Sequence, residues 1–213
     1  MDIYWYGQAC FKLKGKNATV VTDPFYPDFV GLKLPKDLAA DLSLISHDHK
    51  DHSNAEAVSG NPLVVAGPGE YDVKGVAVNG VSVFHDTSNG SERGKNTVYN
   101  IQIDGLSIVH LGDLGHILSE AQVQEIGATD ILLVPVGGVY TIDAKAAAEV
   151  VAQLEPRIII PMHYATSGLK FPLESVDLFL KEMGAESITS VNKLSITKDK
   201  LPDEPQVVVL TKS

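Results

Sequence analysis

The run His47-Asp48-His49-Lys50-Asp51-His52 places three histidines and two aspartates within six residues, directly after a short apolar segment. Imidazole nitrogens and carboxylate oxygens are the ligands that zinc and similar divalent metals take. In an extended stretch, residues two apart point the same way, so His47 and His49 can converge on one ion. A turn after them presents Asp51 and His52 to a neighbouring point. Because the chain holds only seven histidines in 213 residues, this spacing indicates a metal site rather than a solvated polar loop.

Four ligands on one loop cannot complete two metal sites, so further donors must come from distant parts of the chain. His85, Asp113 and His163 each follow an apolar run that has the composition of a strand. Side chains at the strand ends of a stacked sheet gather where functional sites usually lie. We therefore predict that these three residues join the loop donors.

The elements that must position these residues change character along the chain. Short β-rich runs separated by glycine turns dominate up to about residue 111. Strands then alternate with helices, which we predict from Ser119 to about Ile126, from Asp143 to about Leu154 and from Glu174 to Met183. This order predicts an α/β protein with stacked sheets and helices outside them. No linker rich in Gly, Ser or Pro interrupts it, so we expect one domain over residues 1–213.

The composition narrows the class of protein. Hydrophobic residues make up 44% and charged residues 21%, which excludes a disordered chain. With 17 basic and 27 acidic residues, the net charge of −10 disfavours binding to nucleic-acid backbones. A single cysteine and the lack of a basic, apolar leader point to the cytoplasm. No apolar run reaches the ~18 residues of a membrane span, so we expect no membrane association.

Together the donors resemble the signature of the metallo-β-lactamase superfamily, which is His47-x-His49-x-Asp51-His52 followed by His85, Asp113 and His163. The resemblance covers roughly residues 1 to 200. It looks closest to the branch that contains ascorbate-6-phosphate lactonase and N-acyl-phosphatidylethanolamine phospholipase D. It implies a four-layer αβ/βα sandwich.

The resemblance also implies two divalent metal ions, for which zinc is the first expectation and manganese or iron the alternatives. The first ion would take His47, His49 and His85, the second Asp51, His52 and His163, and Asp113 would bridge both. By the same resemblance, Asp23 before Pro24 orients a metal-binding histidine. Whether His85 or His116 completes the first site stays open from sequence.

Two adjacent cations lower the pKa of a bridging water from about 15.7 towards about 7, so a hydroxide can attack a carbonyl carbon or a phosphorus. We assign catalytic roles to Asp51 and Asp113 and expect hydrolysis of a small ester, lactone or phosphodiester. Arg93 or Lys95 is suited to binding a phosphate or carboxylate of an anionic substrate. His116, three residues after Asp113, is a further candidate for contact with the substrate or a ligand.

Two alternatives remain at this stage, and the oligomeric state is open. A nuclease is conceivable because RNA-processing enzymes share the superfamily, but the acidic charge and the length of the chain weigh against it. A non-catalytic metal-binding module is disfavoured by the complete ligand set, since structural sites are usually closed to water.

Overall fold

Two β-sheets form the centre of the fold in the computed structural model, which describes residues 1–213. Strands are numbered in chain order. The first sheet has the order β12-β1-β2-β3-β4-β5. Its strands are β1 (Asp2–Gly7), β2 (Cys10–Lys14), β3 (Thr19–Thr22), β4 (Leu42–Ile45), β5 (Leu63–Ala66) and β12 (Leu194–Ser195). Strands β3, β4 and β5 are parallel, and the other pairings are antiparallel.

The second sheet has seven strands in the order β13-β11-β10-β9-β8-β7-β6. They are β6 (Gly69–Val73), β7 (Val76–Phe84), β8 (Lys95–Ile103), β9 (Leu106–His110), β10 (Ile131–Pro135), β11 (Ile158–Met162) and β13 (Gln206–Val207). Strands β6 to β9 are antiparallel, and β9, β10, β11 and β13 are parallel. The five residues of β10 are all buried, as expected for a parallel strand covered on both faces.

Four α-helices lie outside the sheets: α1 (Pro27–Val30), α2 (Glu120–Ile126), α3 (Ala144–Leu154) and α4 (Val176–Glu182). Helix α2 begins with a capping box between Ser119 and Gln122, and the Asp143 side chain caps α3 by accepting from Ala146 N. Helix α4 begins two residues later than predicted, because the Ser175 side chain accepts from Asp177 N and acts as its cap. No helix is both long and apolar enough to span a bilayer.

The main core lies between the two sheets and continues under the helices of the second sheet. It joins inward-facing residues of the first sheet, such as Leu13 and Leu44, with Ile108 and Leu133 of the second sheet. Helix α2 packs against β7 and β8, and α3 packs against β10 and α4. This arrangement confirms the predicted α/β sandwich.

A smaller core covers the outer face of the first sheet. Strand residues that point away from the main core, including Cys10 and Val21, pack there against Phe25, Val30 and Leu38. The outer layer on this side is therefore mostly a loop with the short helix α1. Burial raises the pKa of the Cys10 thiol well above its usual value, so this cysteine is a packing residue.

Candidate metal centre

Metal-donor side chains follow the ends of strands from both sheets. His47 lies two residues after β4, His85 directly after β7, Asp113 three residues after β9, and His163 directly after β11. Strands β7, β9 and β11 run in the same direction, so their carboxyl ends lie at one edge of the second sheet. The topology thereby brings together donors separated by more than 110 residues in sequence.

The donors form two groups. His47, His49 and His85 make one group, and Asp51, His52, Asp113 and His163 make the other. Within each group the potential ligand atoms all lie within 4.8 Å of one another. The structure thus brings together all seven residues that the sequence predicts as ligands, and His85, not His116, completes the first group.

Asp113 lies between the two groups. Its Oδ2 is 3.3 Å from His85 Nε2 and 4.0 Å from His47 Nε2 on one side. On the other side it is 3.2 Å from His52 Nε2 and 3.4 Å from His163 Nε2. This is the position that a carboxylate shared by two ions would take.

The donor set fits divalent cations. Asp113 Oδ1 is buried and has no hydrogen-bond partner within the protein. Each such unpaired buried group costs about 1–3 kcal/mol, so a folded protein normally supplies a partner. In addition, His47 Nε2 and His49 Nδ1 face each other at 3.0 Å. Converging imidazole nitrogens and carboxylates are chemically matched to zinc, manganese or iron.

The electrostatics keep His47 and His49 of the first group in their metal-binding form. Burial and the charge on His52 lower the pKa of His47 to about 3. Burial and His85 likewise lower the pKa of His49. Both rings are therefore neutral at pH 7, and a neutral imidazole is the form that donates a lone pair to a metal.

The second group pairs ionised carboxylates with a protonated histidine. Burial alone would raise the pKa of Asp51, but His52 and the nearby His163, whose Nε2 lies 3.6 Å from Asp51 Oδ2, outweigh it and lower that pKa. For Asp113, burial is likewise outweighed by His163 and His52, which hold its pKa well below the usual value. Burial opposes the charged form of His52, yet Asp113, Asp51 and Asp23 raise its pKa well above normal. Metal uptake would therefore displace a proton from His52.

Asp23 orients the ring of His52 from behind the donor set. Its Oδ2 accepts hydrogen bonds from His52 Nδ1 at 2.9 Å and from Ser46 Oγ at 2.7 Å, while Oδ1 accepts from Ser46 N at 2.7 Å. Ser46 Oγ also lies 3.0 Å from His47 Nδ1. Asp23 itself is completely buried and adopts a φ of 39°, a left-handed conformation that Asp tolerates better than most residues. One carboxylate thus reaches donors of both groups.

Asn96 and Gly112 fix the backbone that carries Asp113. The Asn96 side chain accepts from Asp113 N at 3.1 Å and donates to Leu111 O at 2.8 Å. Gly112 has a φ of 55°, and a Cβ on it would lie 2.3 Å from Asn96 Oδ1 and 2.6 Å from Ser46 Cβ. Only glycine permits this close approach between the two ligand-bearing loops.

Gln8 contacts the donor His163, and the sequence did not predict this contact. Its Nε2 lies 3.1 Å from His163 Nε2, and its backbone oxygen accepts from His163 N at 3.2 Å. Gln8 occupies the β1–β2 turn with a φ of 48° and is completely buried. The Gly7-Gln8 pair signals a turn, but nothing local shows that this turn faces a residue 155 positions away.

His110 and His116 do not join the donors. His110 Nε2 lies 2.9 Å from Ala9 O, and its Nδ1 accepts from Gly112 N, so this buried ring supports the Gly112 turn. His116 accepts from Phe84 N at 3.2 Å and donates from Nδ1 to Ile117 O at 2.7 Å. Both of its ring nitrogens are therefore engaged by backbone groups, and the residue lines a separate depression beside Phe84 and Ile117.

A cavity of about 430 Å³ opens on the donors. It is lined by Phe29, Asp48, His49, Lys50, Asp51, His85, Arg93, Asp113, Tyr140 and Phe171. Of the two cationic candidates from the sequence, Arg93 reaches this cavity. Lys95 lines a separate depression beside Ser46 and Pro68.

Comparison with known proteins decides the family. Residues 2–163 match the family described as the β-lactamase superfamily domain. A UPF0173 metal-dependent hydrolase from Thermoplasma acidophilum is 35% identical over 193 residues, which cover 79% of this chain and 85% of that protein. The chain belongs to the UPF0173 metal-dependent hydrolase family of the metallo-β-lactamase superfamily.

Solved structures agree with this membership. A Thermotoga maritima protein, assigned to the Zn-dependent hydrolases of the metallo-β-lactamase superfamily, has 45% identity and a TM-score of 0.81. The match covers 98% of the UPF0173 chain and 97% of the Thermotoga chain. The metallo hydrolase Igni18 from Ignicoccus hospitalis has a TM-score of 0.69 at 19% identity and covers 92% of this chain and 99% of its own, which shows a shared fold.

Proposed function

We propose that this UPF0173 protein is a dinuclear metal-dependent hydrolase of a small ester, lactone or phosphodiester. The observation that carries the proposal is the position of Asp113 between two groups of donors beside an open cavity. Relatives named metal-dependent hydrolases support the reaction type. The resemblance to the branch of ascorbate-6-phosphate lactonase and N-acyl-phosphatidylethanolamine phospholipase D supports the substrate classes.

The residues divide between two ions. His47, His49 and His85 would hold the first ion, Asp51, His52 and His163 the second, and Asp113 would be shared. When bound, the pair of ions supplies Lewis acidity and activates water at neutral pH. Mixed imidazole and carboxylate ligands suit zinc, which we take as the first expectation, with manganese or iron as alternatives.

Asp51 is the ionised residue that can orient a water in the cavity. Its carboxylate lines the cavity and its side chain is 14% exposed, whereas the Asp113 side chain is 2% exposed. The lowered pKa keeps Asp51 ionised, so its carboxylate can accept a hydrogen bond from a water and orient it. Asp23, through Ser46 and His52, holds the surrounding rings in place.

The open side of the donor set favours catalysis over a structural metal site. His49, Asp51, His85 and Asp113 all line the cavity, so water and substrate can reach the donors. Structural zinc sites are closed by four protein ligands, while catalytic sites keep an open position. The net charge of −10 disfavours a polyanionic substrate, so a small molecule is the expected partner.

Metal analysis followed by substrate screening tests the proposal. Purified protein should contain about two divalent ions per chain and hydrolyse at least one member of a panel of lactones, phosphodiesters and phosphomonoesters. A chelator should abolish the activity, and zinc should restore it. Asp113→Asn should lower metal content and activity, whereas Asp37→Asn, the same change at an exposed position, should alter neither. Full metal content and full activity in Asp113→Asn would overturn the shared-ligand assignment.

A further inference from the structure

An aromatic wall with a cation at each end lines the same cavity as the metal donors. The Phe29 and Phe171 ring centroids are 6.0 Å apart, and the Phe171 and Tyr140 centroids are also 6.0 Å apart. Arg93 Cζ lies 5.7 Å from the Tyr140 centroid, and Lys50 Nζ lies 6.0 Å from the Phe29 centroid. Phe29 is 46% exposed, so part of its ring surface is open to a ligand.

The guanidinium of Arg93 is free to bind a ligand. Its one acidic neighbour is Glu92, at 3.8 Å, and the Glu92 side chain is 60% exposed. Exposed pairs of this kind contribute little, about 0–1 kcal/mol, so the pair can yield to a ligand at little cost. A cation–π contact with Tyr140 helps to hold the guanidinium, whose paired N–H groups match the oxygens of a carboxylate or phosphoryl group.

Asp86 holds the loop that presents Arg93. Its buried carboxylate accepts hydrogen bonds from the backbone N–H groups of four loop residues, at 2.8–3.1 Å: Ser88, Gly90, Glu92 and Arg93. Each of its two oxygens accepts two of these bonds. Asp86 therefore organises the loop, whereas the preceding residue, His85, faces Asp113. Such a carboxylate at the centre of a loop fixes where the side chains of that loop point.

We infer that the substrate carries a carboxylate or phosphoryl group bound by Arg93 and an apolar or aromatic part packed on Phe29, Phe171 and Tyr140. Asp86 is the positioning residue for Arg93. The inference rests on the proposed function, because the bond to be cleaved must lie over the donors that line the same cavity. Lys50 lies at the other end of the wall, over the Phe29 ring, and its side chain is exposed.

Binding of stable anions tests this inference without any turnover. Isothermal titration of the zinc-loaded protein with phenylphosphonate should give binding that Arg93→Gln weakens about 10- to 100-fold, the usual range for a lost charge-assisted contact. Lys95→Gln removes the same charge two residues away, outside the cavity, and should leave the affinity unchanged. Methylphosphonate, which lacks the ring, should bind more weakly than phenylphosphonate, and Phe171→Ser should reduce that difference.

A double-mutant cycle tests the role of Asp86. Asp86→Asn should weaken phenylphosphonate binding in the wild-type background, have little further effect in Arg93→Gln, and leave zinc content unchanged. Equal affinity in wild type and Arg93→Gln would show that the metals alone bind the anion and would overturn the inference. A loss in Lys50→Gln but not in Arg93→Gln would overturn the assignment to Arg93.

The two proposals fail in different ways. If no substrate is hydrolysed while anion binding depends on Arg93, the hydrolase function falls and the anion site stands. If hydrolysis proceeds but phenylphosphonate binding does not depend on Arg93, the hydrolase function stands and the anion site falls.

Discussion

Replacing Asp23 with asparagine probes how the fold prepares a metal ligand. The exchange keeps the size of the side chain and suits the left-handed φ of 39°, since Asn tolerates that region as well as Asp does. It removes the charge, which is present in the folded protein because His52 and His110 outweigh the effect of burial and lower the pKa of Asp23. The experiment therefore isolates the carboxylate.

The magnitude follows from the three hydrogen bonds that Asp23 accepts. An amide oxygen can keep the bond from Ser46 N at 2.7 Å, but the amide NH2 then faces Ser46 Oγ and His52 Nδ1. His52 can accept from that NH2 only as the tautomer with its proton on Nε2, the nitrogen that faces Asp113 and the metal position. Loss of such a carboxylate partner typically lowers metal affinity 10- to 100-fold, which corresponds to about 1.4–2.7 kcal/mol.

The assay is a competition titration of the metal-free protein with zinc and a chelating dye, run beside thermal unfolding. We expect Asp23→Asn to bind zinc about 10- to 100-fold more weakly, and Asp37→Asn, an exposed position, to match the wild type. Zinc affinity within twofold of the wild type would refute the orienting role. An equal loss in Asp37→Asn would show that net charge, rather than geometry, sets the affinity.

Four further predictions concern the metal, the supporting residues and pH. Chelation should lower the calorimetric unfolding midpoint and zinc should restore it, because a ligand bound only by the folded state stabilises that state; an unchanged midpoint would argue against a metal in the fold. Asn96→Leu removes both side-chain bonds to the Asp113 loop and should destabilise the protein by about 1–3 kcal/mol in urea unfolding, with weaker zinc binding; a change under 0.5 kcal/mol would contradict this role. His116→Gln should leave zinc content and activity unchanged, since its ring bonds only to backbone groups, and a large loss of activity would return His116 to the site. Backbone N–H groups lower the pKa of Asp86 to about 2 despite burial; because the folded value lies below the usual one, its stabilisation of the loop is complete above about pH 4 and is lost as pH falls towards 2, so the protection factors of the amides in residues 88–93, corrected for the intrinsic pH dependence of exchange, should fall over that range and stay constant in Asp86→Asn.

Much of the centre was predictable because it depends on local pattern. Three of the seven donors share a six-residue run with Asp51, and their proximity follows from chain connectivity alone. His85, Asp113 and His163 follow apolar strands, and parallel strands end at a common edge. The helices α2 and α3 were predictable for the same local reason, since Ser119 and Asp143 are cap residues.

Only the tertiary structure decided which of several polar residues near the strand ends reach the cavity or the donor set. Arg93 and Lys95 are cations two residues apart, but Arg93 lies in the loop held by Asp86, whereas Lys95 opens β8 opposite Phe84 and faces another depression. His85 directly follows β7 and His116 lies six residues after β9, and one reaches Asp113 while the other bonds to Phe84 N. Gln8 meets His163 across 155 positions. The sequence thus determined which side chains are candidate metal donors and that four of them share one loop, because both depend only on residue type and spacing. The direction of each remaining side chain depends on loop conformation and on contacts between distant strands, which form only when the two sheets pack.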